Sequence, residues 1–124
     1  MNKQLVDLQR FSSSTCAIIK TDEAKKLPYS VVMKANVSDG FLSTRPFAQK
    51  LDEKSQKSEL CYFVIKEIDE LNIQKQERFL GLIKDREFMG YNLPNNCIVV
   101  LTAKDESTLK NLSPMIYHLS VVAM

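Results

Sequence analysis

Four short apolar runs set the narrowest limits on how this sequence folds. Each is rich in valine or isoleucine and nearly continuous, rather than alternating between apolar and polar residues. The runs are CAIIK (16–20), SVVMKANV (30–37), LCYFVIK (60–66) and CIVVLTA (97–103). Segments of this length and composition are typical of strands that are buried on both faces of a parallel sheet.

Helices are predicted in the longer segments between these runs. The clearest covers residues 73–87, where the apolar side chains gather on one side, and a second covers residues 46–57. A third is predicted to start at Asp105, whose side chain caps it, and a fourth at Ser113, with Pro114 in the first helical position. Strands alternating with helices predict an α/β fold, a three-layer sandwich with a mostly parallel sheet of about four or five strands.

Composition limits the class of protein. A chain of 124 residues with 44% hydrophobic residues has room for one buried core, which predicts a single α/β domain over residues 1–124. The net charge of +2 is too small to mark a nucleic-acid-binding surface. No run reaches the roughly 18 apolar residues of a membrane span, and the start MNKQLVDLQRF is too polar for a secretory signal. We therefore expect a soluble, cytoplasmic protein with no membrane partner.

The three cysteines do not have the spacing of a metal site. Cys16, Cys61 and Cys97 are odd in number and far apart, and each lies in or beside an apolar run. A zinc site needs close pairs of ligands, which this sequence lacks. We interpret all three as reduced thiols in the core.

Charged residues follow the ends of two predicted strands. In open parallel sheets, ligands bind beyond the carboxyl ends of the strands. This rule places Lys66 and Glu67 at one strand end and Lys104 at another. Asp69 and Glu70 come next in the stretch FVIKEIDELN, and we expect them to cap the turn into the following helix, whose N-terminal dipole favours anions.

The second half of the chain resembles a known family. The order CYFVIKEIDELN, QKQERFLGLIKDREFMGYNLPNN and CIVVLTAKDESTLKNLSP over residues 60–122 is similar to the central part of an AAA+ ATPase module, nearest to the MoxR-type and clamp-loader-like members. In that family an apolar strand ends in Asp-Glu, a helix follows, a loop carries Gly-Tyr-x-Leu-Pro, and the next strand ends in Thr-x-Asn. The resemblance implies a P-loop NTPase-like core. Because the chain stops just after its last predicted strand, we expect the helical lid of the family to be absent.

Most of the family's functional positions carry different residues here. Lys66 stands in place of the magnesium-associated Asp, Lys104 in place of the sensor Asn, and no Arg lies near His118, where the family often has one. Only Glu67 matches, at the position of the water-activating Glu. A lysine cannot replace an oxygen ligand of Mg²⁺, so we interpret Glu67 as a remnant of a catalytic base and expect no metal site. His118, in an apolar run, is interpreted as structural.

The first half of the chain lacks a glycine-rich phosphate loop. No G-x-x-x-x-G-K-[ST] motif occurs, and the nearest segment is SSTCAIIKTDEAKKL, in which Lys20 and Thr21 imitate the end of the motif. Two interpretations stay open. One is a vestigial phosphate loop, with Lys20, Thr21 and Lys104 near a nucleotide; the other is a plain strand followed by a polar turn.

The resemblance implies a non-catalytic AAA+-like binding or regulatory module. Such a module needs no cofactor and acts through a protein partner or by self-association, in a complex that touches nucleic acid only indirectly. A first alternative is a weak nucleotide-binding ATPase subunit that uses Lys20, Thr21 and Glu67 with ATP and Mg²⁺. A second is a small α/β domain whose likeness to AAA+ ATPases is incidental.

Overall fold

A five-stranded parallel sheet forms the centre of the computed structural model, which describes residues 16–35, 45–88 and 90–124. The strands in chain order are β1 (Cys16–Lys20), β2 (Ser30–Lys34), β3 (Cys61–Lys66), β4 (Glu87–Phe88), β5 (Tyr91–Asn92), β6 (Cys97–Ala103) and β7 (Ser120–Val122). The central sheet has the order β2-β3-β6-β1-β7, and every pairing in it is parallel. Strands β4 and β5 form a separate antiparallel hairpin.

Helices and 3₁₀ turns connect these strands. The α-helices are α1 (Arg45–Lys57), α2 (Ile73–Gln76), α3 (Leu80–Asp85) and α4 (Pro114–Leu119). The 3₁₀ turns cover Thr21–Lys26, Ile68–Glu70, Glu77–Phe79 and Glu106–Asn111. The predicted α/β class with a parallel sheet is therefore confirmed. No helix within the described ranges combines the length and the apolar character needed to cross a membrane.

Burial separates the inner strands from the edge strand β2. The apolar residues of β1, β3 and β6 are buried on both faces, as their continuous runs predict. In β2 only alternate residues are buried: Val31 and Met33 face the core, whereas Val32 is 47% exposed. The prediction that this run is buried on both faces is wrong, because β2 pairs only with β3 and lies at the edge of the described sheet. Residues 36 and 37 of the predicted run lie outside the described residues.

The sheet separates two apolar clusters, as alternating side chains in strands require. The larger cluster packs Phe63 against Phe47 of α1 and Phe88 of β4, at ring centroid distances of 6.3 and 5.8 Å. Ile116 of α4 belongs to the same cluster. The smaller cluster joins β1, β3 and β6 to the first 3₁₀ turn, which contributes Ala24. The helices therefore fix the positions of the strand ends.

The structure has helical segments where helices are predicted, but it differs from the prediction in three respects. Residues 73–85 are helical in three consecutive segments, and the helix ends at Arg86, whose left-handed φ of 56° turns the chain into β4. The helix predicted at Asp105 is a 3₁₀ turn. Asn72, and not Asp69 or Glu70, caps α2, because the Asn72 side chain accepts the N–H of Lys75 at 2.9 Å. The helix predicted over 46–57 and the one starting after Ser113 are confirmed as α1 and α4.

Candidate functional site

A cavity lies at the carboxyl ends of β1, β3 and β6. Parallel strands bring their carboxyl ends to one edge of the sheet, and the residues that follow these three strands meet there. The cavity has a volume of about 600 Å³. Its lining residues are Thr21, Asp22, Glu67, Asp69, Glu70, Lys104, Thr108 and Asn111.

Thr102, near the end of β6, joins the three strand ends. Its side chain is fully buried. Its hydroxyl accepts the backbone N–H of Glu67 at 2.8 Å and the hydroxyl of Thr21 at 3.1 Å. A buried hydroxyl with two such partners fixes the relative positions of the groups that it contacts. The hydroxyl of Thr21 is therefore used within the protein.

Glu67 has an unusual backbone conformation. It lies in the left-handed region, at φ 64° and ψ 44°, where β3 ends and the turn Ile68–Glu70 begins. Residues other than glycine rarely adopt this conformation, which persists only where surrounding contacts hold it. The hydrogen bond from the Glu67 N–H to Thr102 is such a contact. The carboxylate of Glu67 lies 3.9 Å from the ammonium of Lys66, so the neighbouring lysine partly neutralises it.

Asp69 links the turn after β3 to the end of β6. Its Oδ2 accepts the backbone N–H of Lys104 at 3.2 Å. Its Oδ1 is buried and has no hydrogen-bond partner. Asp69 therefore supports the cavity wall between two strand ends and does not cap α2.

Negative charge dominates the cavity lining. Four carboxylates face one ammonium group: Asp22, Glu67, Asp69 and Glu70 against Lys104. A hydrogen bond between the side chains of Glu67 and Glu70 raises the pKa of Glu70, and the negative charges of Glu67 and Asp69 act in the same direction. Lys34 opposes them. The site therefore favours a cationic group over an anionic one.

The turn Glu106–Asn111 forms one wall of the cavity. Asp105 starts it with a capping box, accepting the N–H of Ser107 at 2.9 Å, while the hydroxyl of Thr108 accepts the N–H of Asp105. The hydrogen bond from the Ser107 hydroxyl is the main cause that lowers the pKa of Asp105. Thr108 and Asn111 of this turn then face the cavity.

A buried glutamine holds the far end of the same wall. Nε2 of Gln76 donates to the carbonyls of Asn111 and Leu71, at 2.7 and 2.8 Å, and Oε1 accepts the N–H of Ser113 at 2.6 Å. Gln76 is completely buried. Two of its three bonds, to Asn111 and Ser113, attach helix α2 to the chain that enters α4.

The structure brings together three of the four residues predicted for the site. Thr21, Glu67 and Lys104 line the same cavity. Lys20 is exposed at the end of β1 and is not among the lining residues. Its segment is a strand followed by a polar 3₁₀ turn, which is the plainer of the two interpretations of the sequence. His118 is exposed on α4, so the expectation of a histidine packed into the structure is wrong.

Sequence reasoning missed several residues of the site. Asp22, Thr108 and Asn111 line the cavity, and Gln76 supports it. Asp22 lies two residues after the end of β1, and Thr108 lies three residues after the capping residue Asp105, so their closeness to a strand end or a cap was the available signal. Gln76 could not be recognised from the sequence, because its partners Asn111 and Ser113 are remote in sequence. Within the described ranges, no group of three His, Cys, Asp or Glu side chains is arranged to hold a metal ion.

Comparison with known proteins does not assign the chain to a family. No protein-family model matches the sequence, and no curated protein matches it significantly.

Proposed function

We propose that this chain is a non-catalytic AAA+-like module with a P-loop NTPase-like core, which acts by binding a protein partner. The observation that carries the proposal is the set of contacts made by Glu67, the one residue that matches the family's functional positions. Its backbone is bonded to Thr102 and its carboxylate lies beside Lys66, the residue that replaces the magnesium-associated Asp. Glu67 therefore lines the cavity beside an ammonium group where the family has a metal-binding carboxylate, which supports a site without the family's hydrolytic chemistry.

The strand order supports the AAA+-like part of the proposal. Strand β6, which precedes Lys104, lies between β1 and β3. The three strands whose ends carry the family-like positions are therefore neighbours in the sheet, as one shared site requires.

The lining residues do not fit the phosphates of a nucleotide. Phosphate loops use glycine-rich backbone to present several N–H groups, whereas here a 3₁₀ turn follows β1 directly. The hydroxyl of Thr21 already donates to Thr102. Four carboxylates in the same cavity would repel a polyphosphate, and Lys104 alone offers a positive charge. The lining therefore lacks the cationic clamp that stabilises the phosphates in nucleotide hydrolysis.

An exposed apolar surface supports the binding part of the proposal. Large apolar side chains of α4 and β7 are exposed by 37–49%. They are Met115, Tyr117, Leu119 and Val121. Met115 and Leu119, four residues apart, lie on the same side of α4, and exposed apolar side chains that lie together mark protein contact surfaces more often than isolated ones do. We propose that this surface contacts a protein partner, or a second copy of the chain, in a complex that assembles on DNA.

Calorimetric titration with ATP and Mg²⁺, together with a phosphate-release assay, tests the loss of chemistry. We expect no heat of binding and no turnover above a buffer control. Tight binding that requires Mg²⁺ and is accompanied by turnover would overturn the proposal. Sedimentation velocity over a range of concentrations tests self-association, with Met115→Lys as the variant that should weaken it and Lys57→Ala, at the end of α1, as the control.

Weak nucleotide binding is the second candidate, because Thr21, Glu67 and Lys104 line one cavity. Under this alternative, ATP raises the melting temperature of the wild type, and Lys104→Ala removes that effect. Lys20→Ala is the matched control, since Lys20 lies outside the lining. Under the main proposal, ATP leaves the melting temperature of all three proteins unchanged.

A further inference from the structure

Two of the three buried cysteines lie side by side in the sheet. Cys61 is the first residue of β3, Cys97 is the first residue of β6, and the two are direct partners in the parallel register. Both are free thiols with no exposed surface, and both belong to the larger apolar cluster. Strands that pair in a sheet are about 4.8 Å apart. Disulfides commonly join Cα atoms roughly 4.4–6.8 Å apart, so this pair can be bridged with little backbone movement.

The pair lies at the outer rim of the sheet. The pairing of β6 with β1 begins at Val99, and the pairing of β3 with β2 begins at Tyr62. Within the described strands, Cys61 and Cys97 therefore form the first residue pair of the sheet, and no paired residue of β1 or β2 lies beside them. Short loops precede both cysteines. Local opening of these two strand starts would therefore be enough to bring the sulfurs to solvent.

The surroundings make Cys61 the better nucleophile of the two. The thiol of Cys97 forms a hydrogen bond with the Cys61 sulfur, which lowers the pKa of Cys61 despite its burial. The positive charge of Arg86 acts in the same direction. Arg86 is held in place because its guanidinium donates to the carbonyls of Pro94 and Cys97, at 2.8 and 2.7 Å. By contrast, the hydrogen bond with Cys61 and burial raise the pKa of Cys97.

We propose that Cys61 and Cys97 form a redox-sensitive dithiol, which a small disulfide oxidant such as oxidised glutathione converts into a disulfide that joins β3 to β6. The Cys61 thiolate attacks one sulfur of the oxidant, the oxidant's S–S bond breaks, and one glutathione thiolate leaves. Cys97 loses its proton to solvent and attacks the Cys61 sulfur of the mixed disulfide. The second glutathione leaves. The protein loses two electrons and two protons, and the oxidant gains them as two thiols.

The bond would fasten the end of the β3–β6 pair that lies opposite the cavity. At the cavity end, the hydrogen bond between Glu67 and Thr102 already joins the chain segments of these two strands. The closed loop runs from residue 61 to residue 97 and contains α2, α3 and the hairpin of β4 and β5. Closing a loop of this size reduces the freedom of the unfolded chain and resists opening of the enclosed segment. This inference does not depend on the function proposed above.

Oxidation of the folded protein, followed by alkylation and peptide mapping, tests the proposal. The wild type is incubated with oxidised glutathione, unfolded in the presence of an alkylating reagent, and analysed by mass spectrometry without reduction. We expect a mass loss of about 2 Da from two hydrogens, a mapped bond between Cys61 and Cys97, and one alkylated thiol at Cys16. The melting temperature of the oxidised protein should rise by several degrees, and dithiothreitol should reverse the change.

Single substitutions identify the pair. Cys16→Ala should still form the internal bond, whereas Cys61→Ala and Cys97→Ala should form only a mixed disulfide with glutathione. Should one of these two variants fail to fold, the other variant and the wild-type map still decide the question. Three alkylated thiols in the treated wild type would overturn the proposal. So would a random mixture of bonds that includes Cys16, because only the unfolded chain lets the three cysteines pair at random.

Discussion

The backbone N–H of Glu67 donates a 2.8 Å hydrogen bond to the buried hydroxyl of Thr102. This bond connects the residue after β3 to the adjacent strand β6, and the hydroxyl of Thr21 extends the connection to the end of β1. Three strand ends thus share one side-chain oxygen. The same bond holds Glu67 in the left-handed conformation that starts the turn bearing Asp69. Thr102 therefore determines the geometry of the whole cavity, although it does not line it.

Replacing Thr102 with valine should destabilise the protein by about 1–3 kcal/mol, because the variant keeps the shape of the side chain but leaves the Glu67 N–H without its partner. Urea denaturation measures the change. Thr102→Ser is the matched control, since it retains the hydroxyl and loses only a methyl group. A larger loss of stability in the valine variant than in the serine variant would show that the hydrogen bond is responsible. A valine variant as stable as the wild type would contradict the role assigned to the bond.

Gln76→Leu should lower the free energy of unfolding by roughly 3 kcal/mol, because it leaves the carbonyl of Asn111 and the N–H of Ser113 unpaired. A loss of this size is near the upper end for a single buried polar group. Gln74→Leu, at an exposed position of the same helix, should change the free energy of unfolding by less than about 0.5 kcal/mol. Denaturation curves of the two variants provide the comparison. Equal effects at both positions would mean that the hydrogen bonds of Gln76 contribute nothing beyond helix propensity.

The strands that form the site could be predicted because local composition determines them. Runs such as CIVVLTA have no polar face to expose, so they must be inner strands, and the carboxyl ends of parallel strands share one edge. This reasoning was enough to bring Thr21, Glu67 and Lys104 together. The exposure of Val32 could not be predicted, because the edge position of β2 depends on the order of the strands and not on its own sequence.

The supporting hydrogen bonds could not be predicted because they connect distant parts of the chain. Thr102 lies 35 residues from Glu67 in sequence, and Gln76 lies 37 residues from Ser113. Nothing near Gln76 distinguishes it from the exposed Gln74 until the helix is packed. The cap of α2 was misplaced for a related reason: Asp69 is a good capping residue, but the N–H of Lys104, on a different strand end, takes its carboxylate.

Glu70→Gln should raise the melting temperature at neutral pH, because it removes a carboxylate that Glu67 and Asp69 repel. The folded-state pKa of Glu70 is raised above its ordinary value of 4.5. The favourable contribution of its protonated form is therefore complete below that value and is lost as the pH rises through the folded-state pKa. The difference in melting temperature between the variant and the wild type should be present near pH 7 and vanish near about pH 4. Glu53→Gln, on the exposed side of α1, is the control and should show a smaller, less pH-dependent change.

Asp105→Ala should lower the melting temperature at neutral pH, because it removes the cap of the turn that forms one cavity wall. The folded-state pKa of Asp105 is lowered from 3.8, so its contribution to stability is present above that value and is lost as the pH falls through the lower, folded-state pKa.

Asp105→Asn is the matched control, because it keeps an oxygen that accepts the N–H of Ser107 but does not titrate. Thermal unfolding near about pH 7 and about pH 3 should therefore show asparagine close to the wild type at the higher pH, with alanine clearly below both. At the lower pH, the difference in melting temperature between the wild type and the alanine variant should be smaller than at the higher pH. Asparagine and alanine variants that melt together at both pH values would show that the cap does not stabilise this wall.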